Sequence, residues 1–353
     1  MKKNILTVNC GSTSVKYKLF DYNKKVLDEV FINTKNLKDK IKEKKFLKKI
    51  GQEKENLKIG FRVVAGGPNV GPLKINSKLK KEIQKYTIFA PIHNKVVLEK
   101  INQIEKLFPK SDLYAVFDTD FHRTISKEFS TYPVDQKIAQ KYHLKKYGYH
   151  GLAIESSLQN LNEVYKKKKE KLPLKIIFLH LGGGASVTFV KNKKSFLTSM
   201  ELTPVSGLMM TTRAGNIDSD FDIILSKLSG KSISKVSEMI SKKSGFYGLT
   251  GSKDTEKIFD KYILEKKQKK GKYKNEKLAC DIFLNQIAGF IYQYAGLGGG
   301  VDLIVLEGGI GKNNIYIKNE IKKRLKTFGL NKIPIVQTKI FEEELIFDKI
   351  KRF

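Results

Sequence analysis

The chain has 353 residues, 40% of them apolar, and its 68 basic against 36 acidic residues give a formal net charge of +32. This length predicts two domains that each bury a core. Only five of the basic residues are Arg, and the Lys residues are spread along the chain. The positive charge therefore indicates a solvated surface rather than a specific nucleic-acid site. Two Cys and the lack of an apolar run of about 18 residues exclude a disulfide framework and a membrane span, so we expect a cytoplasmic protein without membrane or specific nucleic-acid partners.

Residues 4–20 predict a hairpin, in which an apolar strand meets a turn of small polar residues and a second strand leaves it. The turn begins at Asn9 and contains Ser12 and Ser14, with Lys16 just beyond. Backbone N–H groups and hydroxyls at such a turn are able to surround a phosphate. An ordinary hairpin remains the alternative at this point.

A buried strand at residues 59–64 carries a lone charge, Arg62, and ends in a glycine turn. Such a charge is costly unless it is paired, aimed into a cleft, or at the rim of a strand end. A helix is predicted at residues 95–107 and a strand at 113–117, directly followed by Asp118. Since ligands of α/β sheets lie beyond the carboxyl ends of strands, this acidic edge is a candidate site.

The second half of the sequence repeats the strand–turn–strand pattern of residues 4–20. His150 stands before a predicted helix, and a strand at residues 174–179 runs into His180 and three glycines, Gly182, Gly183 and Gly184, before a second strand. Two such hairpins predict two duplicated domains, each offering a phosphate-binding turn to a shared cleft.

The remaining elements are predicted in order. An irregular loop at residues 202–218 contains the scarce Arg213, helices follow near 221–228 and 233–243, and residues 245–254 read as a loop. A long amphipathic helix spans about 276–297. A buried strand at 301–306 precedes a third glycine loop, and a strand at 334–336 precedes an acidic helix.

These motifs together resemble the acetate kinase family of the actin-like, sugar kinase and Hsp70 superfamily. The resemblance rests on residues 9–16, 62–67, 90–94, 117–122, 147–151, 180–182, 203–218 and 308–313. It implies an α/β fold of two duplicated actin-like (ribonuclease H-like) domains around a central nucleotide cleft. The expected domains are residues 1–149 and 150–340, with a C-terminal helix at 341–353 packed back on the first.

The resemblance also implies an activity: reversible phosphoryl transfer from ATP to acetate, or to propionate, giving acetyl phosphate and ADP with Mg²⁺ (or Mn²⁺). It implies a homodimer. The implied catalytic residues are Asp118, Arg62, Arg213 and His150, and the implied acetate-binding residues are Arg62, Val64, Ile92, Tyr149 and Pro204. The implied nucleotide-binding residues are Lys16, Ser12, Ser14, His180, Gly182, Gly183, Gly184, Asp254, Gly309, Ile310, Gly311 and Asn313, and the implied metal ligands are Asn9 and Glu342, with a neighbour in residues 342–344 as the alternative to Glu342.

Some residues depart from the family pattern and leave alternatives open. Gly183 stands where Asn is common in the family, and glycine at this position resembles the butyrate kinase relatives. A butyrate or longer short-chain acyl kinase therefore stays as the alternative. Glu256 replaces an Arg expected near adenine, and Lys312 replaces a Glu. These two departures keep open a catalytically altered member of the superfamily.

Overall fold

The computed structural model describes residues 3–11, 14–53, 56–312 and 315–353. The strands of this part of the chain are β1 (Ile5–Cys10), β2 (Ser14–Phe20), β3 (Val26–Asn33), β4 (Lys58–Val63), β5 (Leu73–Lys74), β6 (Asp112–Phe117), β7 (Lys175–Leu181), β8 (Ala185–Lys191), β9 (Lys194–Thr198), β10 (Leu303–Glu307) and β11 (Ile335–Gln337).

The strands form two sheets with the same internal arrangement. The first has the order β3-β2-β1-β4-β6-β5 and the second the order β11-β10-β7-β8-β9. In each, an antiparallel meander (β1-β2-β3 or β7-β8-β9) is extended on the other side of its first strand by two parallel strands (β4 and β6, or β10 and β11). The repeat confirms the predicted duplicated α/β fold, including both hairpins.

The helices cover the sheets and connect them. They are α1 (Leu37–Glu53), α2 (Ser77–Lys85), α3 (Pro91–Leu107), α4 (Lys127–Ser130), α5 (Gln136–Tyr142), α6 (Gly151–Lys167), α7 (Phe221–Ser229), α8 (Ile233–Lys242), α9 (Gly245–Thr250), α10 (Thr255–Gln268), α11 (Lys274–Gly298), α12 (Gly309–Lys312), α13 (Ile315–Arg324) and α14 (Glu342–Lys351). Short 3₁₀ turns lie at Tyr86–Ile88, Asp120–Thr124, Leu325–Phe328 and Leu330–Lys332. Across the described residues, every helix is too short or too polar to cross a membrane.

The C-terminal helix α14 lies against the first sheet, at the opposite end of the sequence. Its side chains Ile346 and Ile350 are buried with residues of β1 and β6. The approach is close at Gly60, where an added Cβ would lie 2.6 Å from Ile346 Cγ2. A glycine in β4 therefore lets the helix sit directly on the strand, which brings the acidic start of α14 to the edge of the first sheet.

Helix α6 packs against elements of both sheets. Leu152 is buried with residues of the first sheet and of α14, whereas Ile154 and Leu158 are buried with residues of β7 and β10. The domain division between residues 149 and 150 stays a prediction, and α6 is the element that begins there.

One predicted loop is a helix. Residues 245–250 form α9, because Gly245 adopts a left-handed backbone (φ +62°) that starts the turn and Phe246 is fully buried beneath it. Helix α3 begins at Pro91, before the predicted start, because proline fits the first turn of a helix.

Candidate active site

The ends of three strands converge at one edge of the first sheet. β1, β4 and β6 are parallel neighbours, so their carboxyl ends lie together. Arg62, near the end of β4, donates from Nη2 to Asp118 Oδ2 at 2.9 Å and from Nη1 to Asn9 Oδ1 at 3.2 Å. The lone Arg of this apolar strand is therefore paired, and its side chain is only 13% exposed.

Asp118 is fully buried and also accepts hydrogen bonds from the start of α6. The backbone N–H groups of His150 and Leu152 donate to its carboxylate at 3.0 and 3.2 Å. Burial by itself would raise the pKa of this carboxyl, but the Arg62 guanidinium and the two N–H groups outweigh it, so the pKa lies below its usual range. Asp118 is therefore an ionised group that holds Arg62 and α6 in place.

The first turn of α14 adds two carboxylates to this edge. Asn9 Nδ2 donates to Glu342 Oε2 at 2.6 Å and to Glu343 Oε1 at 2.8 Å. Glu342 also lies 3.4 Å from Arg62 Nη1, and Glu343 pairs with Lys16 at 3.0 Å. Both Glu342 and its neighbour therefore meet Asn9, which leaves the two residues equivalent as candidates on contact alone.

These residues fit a hard divalent cation. Burial raises the pKa of Glu342; Arg62 opposes this, while the nearby carboxylates of Asp118 and Glu343 add to it. A cation would relieve that crowding, and Mg²⁺ uses one or two carboxylates while keeping several waters. Among the described residues no group of three or more His, Cys, Asp or Glu is placed to hold a metal by itself.

Two histidines lie near this edge, His180 from β7 of the second sheet and His150 from the residue before α6. The His150 ring lies on the His180 ring, with centroids 4.2 Å apart, and His150 Nδ1 is 3.0 Å from Ser186 Oγ. His180, near the end of β7, places Nδ1 2.9 Å from Glu307 Oε1 at the end of β10. Burial, then the nearby His180, lower the pKa of His150 well below its usual range, so its ring is neutral.

Arg213 reaches the same region from the long loop. Its Nη1 donates to the Pro204 carbonyl at 2.9 Å and lies 3.6 Å from the position that a Cβ on Gly184 would occupy. Burial lowers the pKa of Arg213 to about 10, which still leaves it charged at neutral pH. Within the described part of the chain it has no carboxylate partner, so it is a partly buried cation available to an anion.

The predicted acetate-binding residues are partly brought together. Ile92, Pro204 and Arg213 line one cavity of about 900 Å³. Val64 and Tyr149 are buried in a core cluster that also contains Phe89 and Ala90 of the cavity lining, and the Tyr149 hydroxyl donates to the Leu202 carbonyl at 2.6 Å. The hydroxyl is thus satisfied by the backbone.

The predicted nucleotide-binding turns of the second sheet are adjacent. An added Cβ on Gly182 would lie 3.9 Å from the Gly309 nitrogen, and Gly182 N–H donates to Gly184 O at 2.9 Å. Gly183 is exposed with open space around its Cα. Ile310 and Gly311 follow in α12. The glycine loops of β7 and β10 therefore form one backbone-rich surface beside His180.

Other predicted nucleotide contacts are placed differently. Ser14 opens β2, and Gly11 N–H donates to Ser14 O at 2.8 Å across the first turn. Asp254 is exposed and caps α10 by accepting from Lys257 N at 3.1 Å, away from contact with the other predicted residues of the described chain. The predictions for Ser12 and Asn313 lie outside the described residues.

Two residues near the site carry no predicted role. His93 Nδ1 is buried without a hydrogen-bond partner in the described structure, and burial together with Arg213 and Arg62 lowers its pKa to about 3. Glu307 is fully buried against His180. A signal was available for both: His is rare here, and Glu307 is a lone charge ending an apolar strand, as Arg62 is.

Known proteins are similar to this chain in sequence. The acetokinase family profile matches residues 36–346. The acetate kinase of Mycoplasma capricolum subsp. capricolum is 34% identical over 358 residues, covering 92% of this chain and 88% of the relative. That of Buchnera aphidicola subsp. Cinara cedri is 35% identical over 363 residues, covering 93% and 87%.

Solved structures agree in fold. A propionate kinase from Francisella tularensis superposes with a TM-score of 0.83 at 29% identity over 98% of both chains. An acetate kinase from Entamoeba histolytica superposes with a TM-score of 0.81 at 28% identity over 99% of both chains. The site and these matches, which span nearly the whole chain, lead to one conclusion: the chain is an enzyme of the acetokinase family, with the two-domain actin-like fold of that family.

Proposed function

We propose that this enzyme reversibly transfers the γ-phosphoryl group of ATP to acetate, giving acetyl phosphate and ADP with Mg²⁺ (or Mn²⁺). The relatives named acetate kinase support the acceptor, since they cover most of the chain. The observation that carries the proposal is the continuous set of contacts from Arg62 through Asp118 and His150 to His180. It joins the edges of the two sheets, where an acceptor and a nucleotide must meet.

The reaction needs alignment rather than a base. A carboxylate is already a nucleophile, so catalysis rests on holding it in line with the γ-phosphorus and on neutralising charge. The neutral rings of His93 and His150 fit this need, because they offer hydrogen bonds without competing for a proton. We assign His150 to the transferring group and His180 to the nucleotide phosphates.

The two arginines take different parts. Arg213, which lacks a carboxylate partner in the described structure and lines the cavity with Ile92 and Pro204, is assigned to the acetate carboxylate and the transferring oxygens. Arg62 is held rigidly by Asp118, so it presents a fixed donor fork to the same oxygens. Stabilisation of this kind is largest where charge spreads in the transition state.

The metal would be held by Asn9 and Glu342, with Glu343 as the adjacent carboxylate. When bound, a divalent ion would neutralise phosphate charge and orient the nucleotide. Lys16 pairs with Glu343 and so links β2 to α14.

A second acceptor, propionate, is favoured by one observation. The Francisella structure that covers 98% of this chain is a propionate kinase. Incubating the protein with Mg-ATP, hydroxylamine and each of acetate, propionate and butyrate, and measuring hydroxamate, tests both proposals. Acetate should give the highest kcat/KM and propionate a lower value. Absence of hydroxamate with all three acids would contradict the proposed phosphoryl transfer. The highest kcat/KM with butyrate would contradict acetate as the preferred acceptor.

We propose a homodimer through α7 and α8. Apolar side chains stand exposed there, with Leu228 81% exposed, together with Phe221, Ile223, Ile224 and Ile233. Exposed apolar side chains grouped on two helices that contact each other are typical of an interaction surface. Light scattering should give twice the chain mass for the wild type and a monomer for Ile224→Glu/Leu228→Glu; a monomeric wild type contradicts the proposal. We place the enzyme in the cytoplasm, where ATP is available.

A further inference from the structure

Glu307 has an unusual environment for an acid. Its side chain is fully buried at the end of β10, and one oxygen, Oε1, meets His180 Nδ1 at 2.9 Å. The other oxygen, Oε2, is buried and has no hydrogen-bond partner among the described residues. An ionised carboxylate with one neutral donor is expensive to bury, whereas a cationic donor makes the bond roughly twice as strong.

His180 stands between Glu307 and the cleft. Its side chain is 16% exposed, and its Nδ1 is already bonded to Glu307, so Nε2 is the ring nitrogen available to a ligand. A neutral ring that donates from Nδ1 to a carboxylate has a lone pair on Nε2. That lone pair repels a phosphate oxygen, and only a protonated ring donates to the carboxylate and to a phosphate at once.

Besides Glu307, two other groups lie near His180: the neutral His150 ring and, beside the turn that follows His180, the Arg213 guanidinium. The His150 ring lies 4.2 Å away on the α6 side, and its Nδ1 bonds to Ser186, which pairs with His180 across β8. Arg213, on the long loop, approaches the adjacent Gly184. Glu307, on β10, is the acid that faces the ring. A nucleotide phosphate at Nε2 would therefore be a second anion on the ring, opposite Glu307.

We propose that Glu307 is a positioning residue that couples nucleotide binding to the uptake of one proton. The proton moves from solvent to His180, and the resulting imidazolium donates from Nδ1 to Glu307 and from Nε2 to a nucleotide phosphate. This inference rests on the proposed nucleotide site at His180. It predicts that ADP affinity rises as pH falls, because a ligand that binds the protonated form favours protonation to the same extent.

Calorimetry measures the proton directly. MgADP is titrated into the wild type at pH 8, where the nucleotide phosphates are ionised, in buffers of different ionisation enthalpy. The slope of the heat against that enthalpy should show uptake approaching one proton. In Glu307→Gln the amide holds a neutral ring by donating to Nδ1, so binding should weaken several-fold, the uptake should vanish and affinity should lose its dependence on pH.

Asp302→Asn is the matched control, since it removes one negative charge just before the other end of β10, where Asp302 accepts from Lys175 N. It should keep the wild-type uptake and affinity. His180→Asn should abolish the uptake, and adding Glu307→Gln to it should weaken binding no further. Thermal unfolding of each variant shows whether a loss of proton uptake comes from loss of the fold or from loss of the coupling between proton uptake and nucleotide binding.

Three results overturn the proposal: wild-type binding without proton uptake, undiminished uptake in Glu307→Gln, or additive losses in the double variant. The hydroxamate assay on the same preparations distinguishes the proposed function. ADP binding with proton uptake but no hydroxamate supports the Glu307 proposal and contradicts acetate phosphorylation. No ADP binding by the wild type contradicts both.

Discussion

Arg62 and Asp118 form a buried ion pair, with 2.9 Å between Nη2 and Oδ2, whereas Arg213 meets a backbone carbonyl and no acid in the described structure. The two arginines predicted to act together thus differ in how the fold compensates their charge. Arg62 belongs to the scaffold as well as to the site, and Arg213 depends on the ligand for its counter-charge.

This difference predicts opposite effects on stability. Arg213→Met should lower kcat/KM for acetate by about 10²–10³-fold, as expected for loss of a donor to developing charge, while the free energy of unfolding stays equal or rises because an unpaired cation is removed. Urea unfolding and steady-state kinetics measure the two quantities. A large loss of stability in Arg213→Met argues that its contacts with Pro204 and Met210 are structural.

Arg62→Met should lose both activity and stability. It leaves the Asp118 carboxylate buried without its cation, which costs about 3–5 kcal/mol. The double variant Arg62→Met/Asp118→Asn should recover part of that stability but not the activity. If Arg62→Met unfolds at the same urea concentration as the wild type, the ion pair contributes nothing to the fold.

Gly184 sets the position of the His150 ring. A Cβ at residue 184 would lie 3.1 Å from His150 Nε2 and 3.2 Å from Cε1, so the ring would have to shift by a few tenths of an ångström. Gly184→Ala should therefore lower kcat by roughly 3- to 10-fold with little change in thermal stability. Gly289→Ala, in α11, where an added Cβ meets open space, is the control and should keep full activity. Unchanged turnover in Gly184→Ala would remove His150 from the transferring group.

His122 predicts how stability depends on pH. Its ring is buried between Ser195 Oγ and the Tyr149 carbonyl, and burial lowers its pKa to about 4. The unfolded chain takes up this proton near pH 6.5. The contribution of His122 is therefore fully present above that pH and is lost, at about 1.4 kcal/mol per pH unit, as pH falls toward 4.

Urea unfolding at pH 8, 6 and 5 checks this. His122→Gln should be less stable at pH 8 but should lose less stability on acidification than the wild type. The exposed His143, with its left-handed backbone, supplies the control His143→Asn, which should follow the wild type. Parallel pH curves for wild type and His122→Gln contradict the assignment.

The candidate site at the edge of the first sheet could be predicted from the sequence, because the pattern that indicates it lies in short segments of the chain. Arg62 and Asp118 are polar residues at the ends of apolar strands, and parallel strands bring such residues together. The resemblance supplied α14, since residues 9 and 342 are far apart in the chain and only packing at Gly60 brings Glu342 to Asn9.

Pairings that depend on tertiary geometry were not visible in the sequence. Glu307 meets His180 because β10 and β7 are neighbours in register, a relation that no local pattern encodes. Asp254 caps α10, as a short polar residue before a helix often does, and its predicted contact with adenine stays a prediction. The role of each predicted site residue stays a prediction.

In the proposed reaction the acetate carboxylate itself attacks the γ-phosphorus. Acetate carrying ¹⁸O in both carboxylate oxygens, incubated with the enzyme and Mg-ATP, should give acetyl phosphate with ¹⁸O in the bridge. Hydroxylamine then attacks the acyl carbon and releases inorganic phosphate, whose ³¹P spectrum reports the label. One ¹⁸O per phosphate is the predicted result, and phosphate without ¹⁸O would contradict attack by the carboxylate.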